Sequence, residues 1–296
     1  MEDRVADLRA RWTPESTAAA VAFLEQRPTA FPLSTLGHDG ETYLDLRGLR
    51  VEQTQIDKVH LRRVNLRWAV FRDVGFKSAR FEECNLSHAT FSECYLRRAQ
   101  FTRCDLVNAR FDSCDFSQAL LADSRLDFAS FKNCEIQLEN IRFRADAGEQ
   151  AMVRACRSLK LNAVSMGNFA DAGELTYLEK THERRALYAR GKWAAWLSST
   201  LQDWMWGYGE RPWRLALVMI FNIVAFGTLL HLLDPLPDKT WSEHVYFSGI
   251  TYLTVGYGDL APHSPIARLL SVICAAAGIG TFGLLIASVT KKIMHR

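Results

Sequence analysis

The chain has 296 residues, with 36 basic against 33 acidic side chains and a formal charge of +3. So small a balance excludes general nucleic-acid affinity, which needs a concentrated basic field, and an apolar content of 48% excludes disorder. The charge is unevenly placed: nearly all of it precedes Arg214, and the two longest uncharged runs follow it, so a soluble half is expected to precede a membrane half. Seven cysteines make an odd count, and the opening MEDRVADLRARW has no apolar stretch to act as a signal peptide, which points to a reducing cytoplasm for the soluble half.

In chain order, Thr13-Pro14 supplies an N-cap and a first helical position for a helix over TPESTAAAVAFLEQ. Residues 1–40 are read as a helical cap. From residue 41 to 145 the pattern changes. Stepping by five from Leu46 gives Val51, Ile56, Leu61, Leu66 and Phe71, and the series stays apolar through Phe131, Ile136 and Ile141. Twenty consecutive positions on a step of five fit neither the helical nor the strand period; the segment is a solenoid with a five-residue unit.

A second, smaller series stands two residues before the first: Ala69, Val74, Ala79, Cys84, Ala89, Cys94 and onward to Ala119. Between Ala79 and Leu106, Ala precedes Phe and Cys precedes Leu, the volume compensation that close packing demands. Cys84, Cys94, Cys104, Cys114 and Cys134 are therefore read as core filler, a role in which a thiol acts as a small hydrophobe. A metal ladder would need convergent ligands, not a line along a column.

This pattern resembles the pentapeptide-repeat family, which implies a right-handed, four-sided β-helix with four repeats per coil. Twenty repeats then make about five coils, each about 4.8 Å high, with the first coil, around Leu44 to Val64, expected to be loose. Some members of that family imitate DNA with an acidic surface. Between Glu41 and Arg144 stand 15 acidic and 17 basic residues, so mimicry is not expected.

Residues 146–190 read as a helical hairpin joined near Gly167, a connector. Residues 191–212 hold Trp193, Trp196, Leu197, Leu201, Trp204 and Met205 on one helical face, a composition suited to a membrane interface; a packed soluble helix is the alternative. The first membrane span is 213–233, whose residues from Leu215 to Leu233 contain no Asp, Glu, Lys or Arg, long enough to cross a bilayer. The second is 266–290. Basic residues flank the outer ends of both spans, Arg211 and Arg214 before the first and Lys291 and Lys292 after the second, while Asp234, Asp238 and Glu243 lie between them. The positive-inside bias puts both termini in the cytoplasm of a multi-pass inner-membrane protein. Asn222 and His231, inside the first span, are read as contacts between helices.

The loop between the spans carries SEHVYFSGITYLTVGYGDL. Thr240 to Glu243 forms a capping box for a short helix over 243–253, followed by Thr254-Val255-Gly256-Tyr257-Gly258-Asp259 over 254–259. Irregular backbone at membrane depth must line a cavity, and glycine in alternate positions frees the chain to turn successive carbonyls to one axis. The motif in a span–loop–span unit resembles the two-span potassium channels over Trp213 to Lys292. That resemblance implies a homotetramer in lipid that passes K+, with no cofactor; the ligands are Thr254, Val255, Gly256 and Tyr257, with Gly258 completing the filter. It further implies a bend in the second span at Gly278, with Gly280 and Gly283 adding freedom, and a cavity face of Ile279, Phe282 and Ile286. Where some members place a glutamate before the filter, this chain has Ile250, so Asp259 is expected to bond Tyr246 instead.

No arginine-studded helix, phosphate loop or catalytic triad is evident, so neither voltage sensing nor enzymatic activity is expected. The reading is a potassium channel whose pentapeptide module has an assembly or regulatory role, through an unidentified cytoplasmic effector acting by way of the first span. The alternative is a membrane-tethered repeat scaffold with a non-conducting pore. No nucleic-acid partner is expected.

Overall fold

The computed structural model describes residues 2–25, 35–38, 41–233 and 239–294. They fall into two compact units, residues 1–190 and 191–296.

The first unit is built on the five-residue repeat. Strand pairs join residues twenty apart, Phe71 to Phe91, Phe91 to Phe111 and Phe111 to Phe131 on one face, and Phe81 to Phe101 on another, all parallel and in register. A step of twenty is four pentapeptides, so each coil has four sides; about five coils run over residues 44–143. The corners repeat as strictly as the core: from Gln53 to Asn133, every fifth residue has positive φ. Non-glycine residues enter that region at a steric cost, here offset by the ladder and core on either side. Inside, the rings of Phe71, Phe91, Phe111 and Phe131 stack at 4.9, 4.9 and 5.1 Å. Val51 and Ile56 are buried, and Arg50–Gln55 pairs with Val70–Gly75 over five partners. The first coil is thus regular, contrary to expectation, because the ladder above it holds register where its own side chains are small.

The cysteines all carry free, buried thiols. Cys84, Cys94, Cys104, Cys114 and Cys134 each donate to the carbonyl 23 residues earlier, such as Leu61 and Phe81 at 3.2 Å. Ser124 fills the skipped step and bonds Phe101 O in the same way. Burial pushes the Cys104 thiol well above its usual value.

Both ends of the stack are covered. Helices α1 (Glu2–Ala10) and α2 (Pro14–Glu25) lie before it; Ala20 and Leu24 of α2 join the solenoid core, and Arg11 and Arg47 clamp Asp45 at 2.6 and 3.0 Å. The region read as purely helical also contains a strand, Thr35–His38, antiparallel to Glu41–Asp45. At the far end, α3 (Glu149–Ser165) and α4 (Phe169–Ala189) form the expected hairpin, turning at Gly167 with φ +73°. It is more than a connector. Asn162 accepts from Cys134 N and donates to Cys134 O, both at 2.8 Å, so a side-chain amide replaces the missing next coil and protects the edge.

The second unit is helical: α5 (Trp193–Trp206), α6 (Trp213–Leu233), α7 (Trp241–Tyr252) and α8 (Pro265–Met294). No residue of α5 is buried; Trp193, Leu197, Leu201 and Trp204 are exposed along one face. It ends at Gly207, in the left-handed conformation, and Arg214 of α6 bonds Asp203. Helices α6 and α8 are long and apolar enough to cross a membrane. The apolar span of α8 runs from Pro265 to Thr290, one residue before the predicted start and ending where expected, and the helix itself continues to Met294 through Lys291 and Lys292. A side chain at Gly227 would meet Val245 Cα at 2.6 Å, so glycine there lets α7 lie against α6.

Candidate functional site

The site is the segment between α7 and α8. Thr240 caps α7 and the Glu243 carboxylate returns to the Thr240 amide at 2.7 Å, a complete capping box. The box starts the helix two residues earlier than the expected 243, and Leu253, expected inside it, is its C-cap. The chain does not run free beyond that point. Thr254 N donates to Thr251 O at 3.0 Å, while Val255 N and Gly256 N both donate to Ile250 O at 2.8 and 3.2 Å. Ile250 therefore supports the loop through its carbonyl; its side chain packs with Leu230, Phe247 and Ala267.

From Thr254 the backbone alternates: φ is +57° at Thr254, +55° at Gly256 and +76° at Gly258, and not positive at Val255 or Tyr257. Alternation in hand gathers N–H groups on one edge of a chain and carbonyls on the other. Glycine takes the left-handed positions without penalty; Thr254 takes one at a cost that marks a constrained site. The segment is open on one side, with Val255 49% and Tyr257 71% exposed. A row of carbonyl oxygens offers neutral, hard ligands that suit a dehydrated monovalent cation.

Tyr246 and Asp259 are neighbours, and the Asp259 carboxylate pushes the Tyr246 phenol above its usual value, which places the far end of the loop beside the first half of α7. Ile279, Phe282 and Ile286 lie exposed along one stripe of α8. The three glycines of α8 are not equivalent. Gly280 and Gly283 have open space around them, whereas a Cβ at Gly278 would sit 1.8 Å from Tyr252 O. Gly278 is the seat on which the end of α7 rests against α8, a role that the expected hinge does not describe.

Sequence reasoning missed Tyr252. Its side chain is the bulkiest fully buried one among the described residues; its hydroxyl accepts from Asn222 Nδ2 at 3.0 Å and lies 2.7 Å from Thr281 Oγ1. The available signal was Asn222, a polar residue in an apolar span. His231 contacts the His244 ring at a centroid distance of 4.8 Å, and His244 Nδ1 lies 2.8 Å from Thr240 O.

A parallel solenoid followed by two apolar helices and a re-entrant loop defines a repeat module joined to a pore domain. The comparisons agree: residues 218–295 match the family model described as Ion channel, and eight copies of Pentapeptide repeats match within 53–137. The chain thus carries a segment that matches an ion-channel model, joined to pentapeptide repeats, and two helices long and apolar enough to cross a membrane.

YugO of Bacillus subtilis (strain 168), provisionally named a potassium channel protein, is 28% identical over 65 residues, 22% of this chain and 20% of that protein. A second protein with a provisional potassium-channel name, from Methanocaldococcus jannaschii, is 28% identical over 86 residues, 29% of this chain and 25% of that one. The chain thus spans a fifth to a quarter of these two relatives. A crystal structure of a voltage-gated K+ channel pore module, closed and in lipid membranes, is 23% identical over 28% of this chain and 89% of that one, with a TM-score of 0.25.

Proposed function

We propose that this chain forms a homotetrameric, potassium-selective channel of the inner membrane, with both termini and the repeat module in the cytoplasm. The observation that carries the reading is the alternating backbone from Thr254 to Gly258. Four such segments around one axis would present the carbonyls of Thr254, Val255, Gly256 and Tyr257, together with the Thr254 hydroxyl, in place of the ion's water shell. Conduction is passive and the permeant K+ is the only ion required.

Other residues serve that geometry. The approach of Asp259 to Tyr246 restrains the outer end of the filter, and the Ile250 carbonyl restrains the inner end. Helix α7 directs its negative C-terminal end toward the ion path, where Ile279, Phe282 and Ile286 make an apolar wall. The exposed Trp face of α5 suits the lipid interface. The repeat module organises the four subunits or conveys an effector to them.

The test is reconstitution of the full chain into liposomes or planar bilayers, with the reversal potential measured in a potassium gradient against sodium. The potential should follow potassium. A tetramer without current would favour the scaffold reading, and a potential that follows sodium equally would end the claim of selectivity.

A further inference from the structure

Tyr252 touches both membrane helices at once. Its ring is fully buried, and its hydroxyl stands between Asn222 of α6 and Thr281 of α8. Counting donors settles the direction of the bonds. The amide of Asn222 donates to the Tyr252 oxygen. Thr281 has one proton, and its oxygen lies 2.8 Å from Ala277 O and 3.2 Å from Gly278 O, so that proton goes to the α8 backbone. Tyr252 therefore donates to Thr281. The result is one directed chain, from Asn222 through Tyr252 and Thr281 to the backbone of α8, with every hydroxyl both donating and accepting. Chains of this kind strengthen where water is excluded.

The same residue touches α8 a second time through its own backbone. Tyr252 O rests in the space that the absent side chain of Gly278 leaves. Gly278 and Thr281 are three residues apart, so carbonyl and phenol grip one turn of α8. On its other side Tyr252 is two residues from Thr254, and the flanking Ile250 and Thr251 carbonyls hold the amides of Thr254, Val255 and Gly256.

We infer that Tyr252 is a positioning residue that locks the inner end of the filter to the 277–281 turn of α8, so that movement of α8 is delivered to the filter and the open state is controlled there. The inference rests on the channel reading above. It assigns Asn222 a part as well: anchored in α6, it resists the pull and sets the resting position of the phenol. A turn of α8 that rotates or bends cannot carry Thr281 away without either breaking the 2.7 Å bond or dragging the last turn of α7. Because the loop amides are bonded to that turn, the drag reaches the alternating backbone directly.

The experiment uses the full chain in planar bilayers with symmetrical potassium chloride, comparing wild type with Tyr252→Phe, Thr281→Val, Thr281→Ser and the double variant Tyr252→Phe/Thr281→Val. Tyr252→Phe keeps the ring and removes only the hydroxyl. We expect mean open time to change by about fivefold, the scale of one buried hydrogen bond, with unitary current unchanged, since the carbonyl ligands are untouched. Thr281→Val should produce the same change, the double variant no further change, and Thr281→Ser should restore wild-type openings. A role confined to folding would instead lower the yield or melting temperature of the tetramer and leave open times alone. Wild-type open times in intact Tyr252→Phe and Thr281→Val tetramers, or additive effects in the double variant, overturn the inference while leaving the channel reading in place. If Tyr252→Phe does not assemble, the Thr281→Val and Thr281→Ser pair decides by the same criterion. A wild-type protein without potassium current overturns the channel reading and this inference with it.

Discussion

Replacing Gly278 with alanine separates two descriptions of α8. A hinge glycine is free in its surroundings, and alanine there would stiffen the helix and stabilise it by about 1 kcal/mol. The structure describes a seat. A Cβ at 278 would lie 1.8 Å from Tyr252 O and 2.7 Å from its carbon, both backbone atoms that no rotamer change can move. Ordinary contact begins near 3.4 Å, so α7 and α8 must separate by roughly 1.5 Å at this crossing. Overpacking of this kind costs about 1–3 kcal/mol, enough to outweigh the gain in helix propensity, and it strains the Tyr252–Thr281 bond next to it.

The assay is thermal unfolding of the purified full chain in detergent, followed by size-exclusion chromatography after heating, with Gly280→Ala and Gly283→Ala as controls. Among the described residues, nothing beyond the chain neighbours and the helix's own backbone lies within 4 Å of a Cβ at either control position. Only Gly278→Ala should lower the melting temperature, by several degrees. A Gly278→Ala protein as stable as wild type would refute the seat and return Gly278 to the hinge.

Other outcomes follow from the first unit. Asn162→Leu strands Cys134 N and O in a buried place and should destabilise the unit by about 1–3 kcal/mol, read as a lower denaturation midpoint in urea; an unchanged midpoint would remove Asn162 from the cap. Burial pushes the Cys156 thiol up to about 12 and raises that of Cys104, so both should resist alkylation by iodoacetamide at pH 8 until the chain is unfolded, and a chelator should leave the melting temperature unchanged. Rapid labelling of the native protein would contradict the packed-core account.

Burial would raise the Asp45 and Glu179 carboxyls, but hydrogen bonds from Arg11 and Arg47 to the first, and from Lys160 and Arg157 to the second, hold both below the usual range. A depressed folded value stabilises above the unfolded carboxyl pKa of about 4 and is lost as pH falls through the folded value. Stability should therefore drop below about pH 4, and Glu179→Gln should be less stable than wild type at pH 7 with the gap closing toward pH 3. A pH-independent gap would show that the charge contributes nothing.

Much of the fold was open to reading because it repeats. The step of five places one large and one small residue inward at every turn, and a signal copied twenty times survives weak members such as Val51 and Ile56. The alternating loop over 254–258 was legible for a different reason: its constraint is on the backbone, and a backbone that alternates in hand favours glycine at fixed places, as Gly256 and Gly258 show. Capping chemistry is local too, which is why Thr240 and Glu243 identified the start of α7 to within a few residues.

What the tertiary structure decided has no period and no local signal. Asn162 looks like any polar residue of an amphipathic helix until the last coil presents Cys134 to it, 28 residues away in sequence. Tyr252 meets Asn222 and Thr281 across separations of 30 and 29 residues; Asn222 marks a polar place in an apolar run, but nothing near it in sequence names its partner. The two roles of glycine in α8 are likewise indistinguishable in the string AGIGTFG. Only the approach of another backbone tells Gly278 from Gly280, because a missing side chain acquires a meaning when something fills its place.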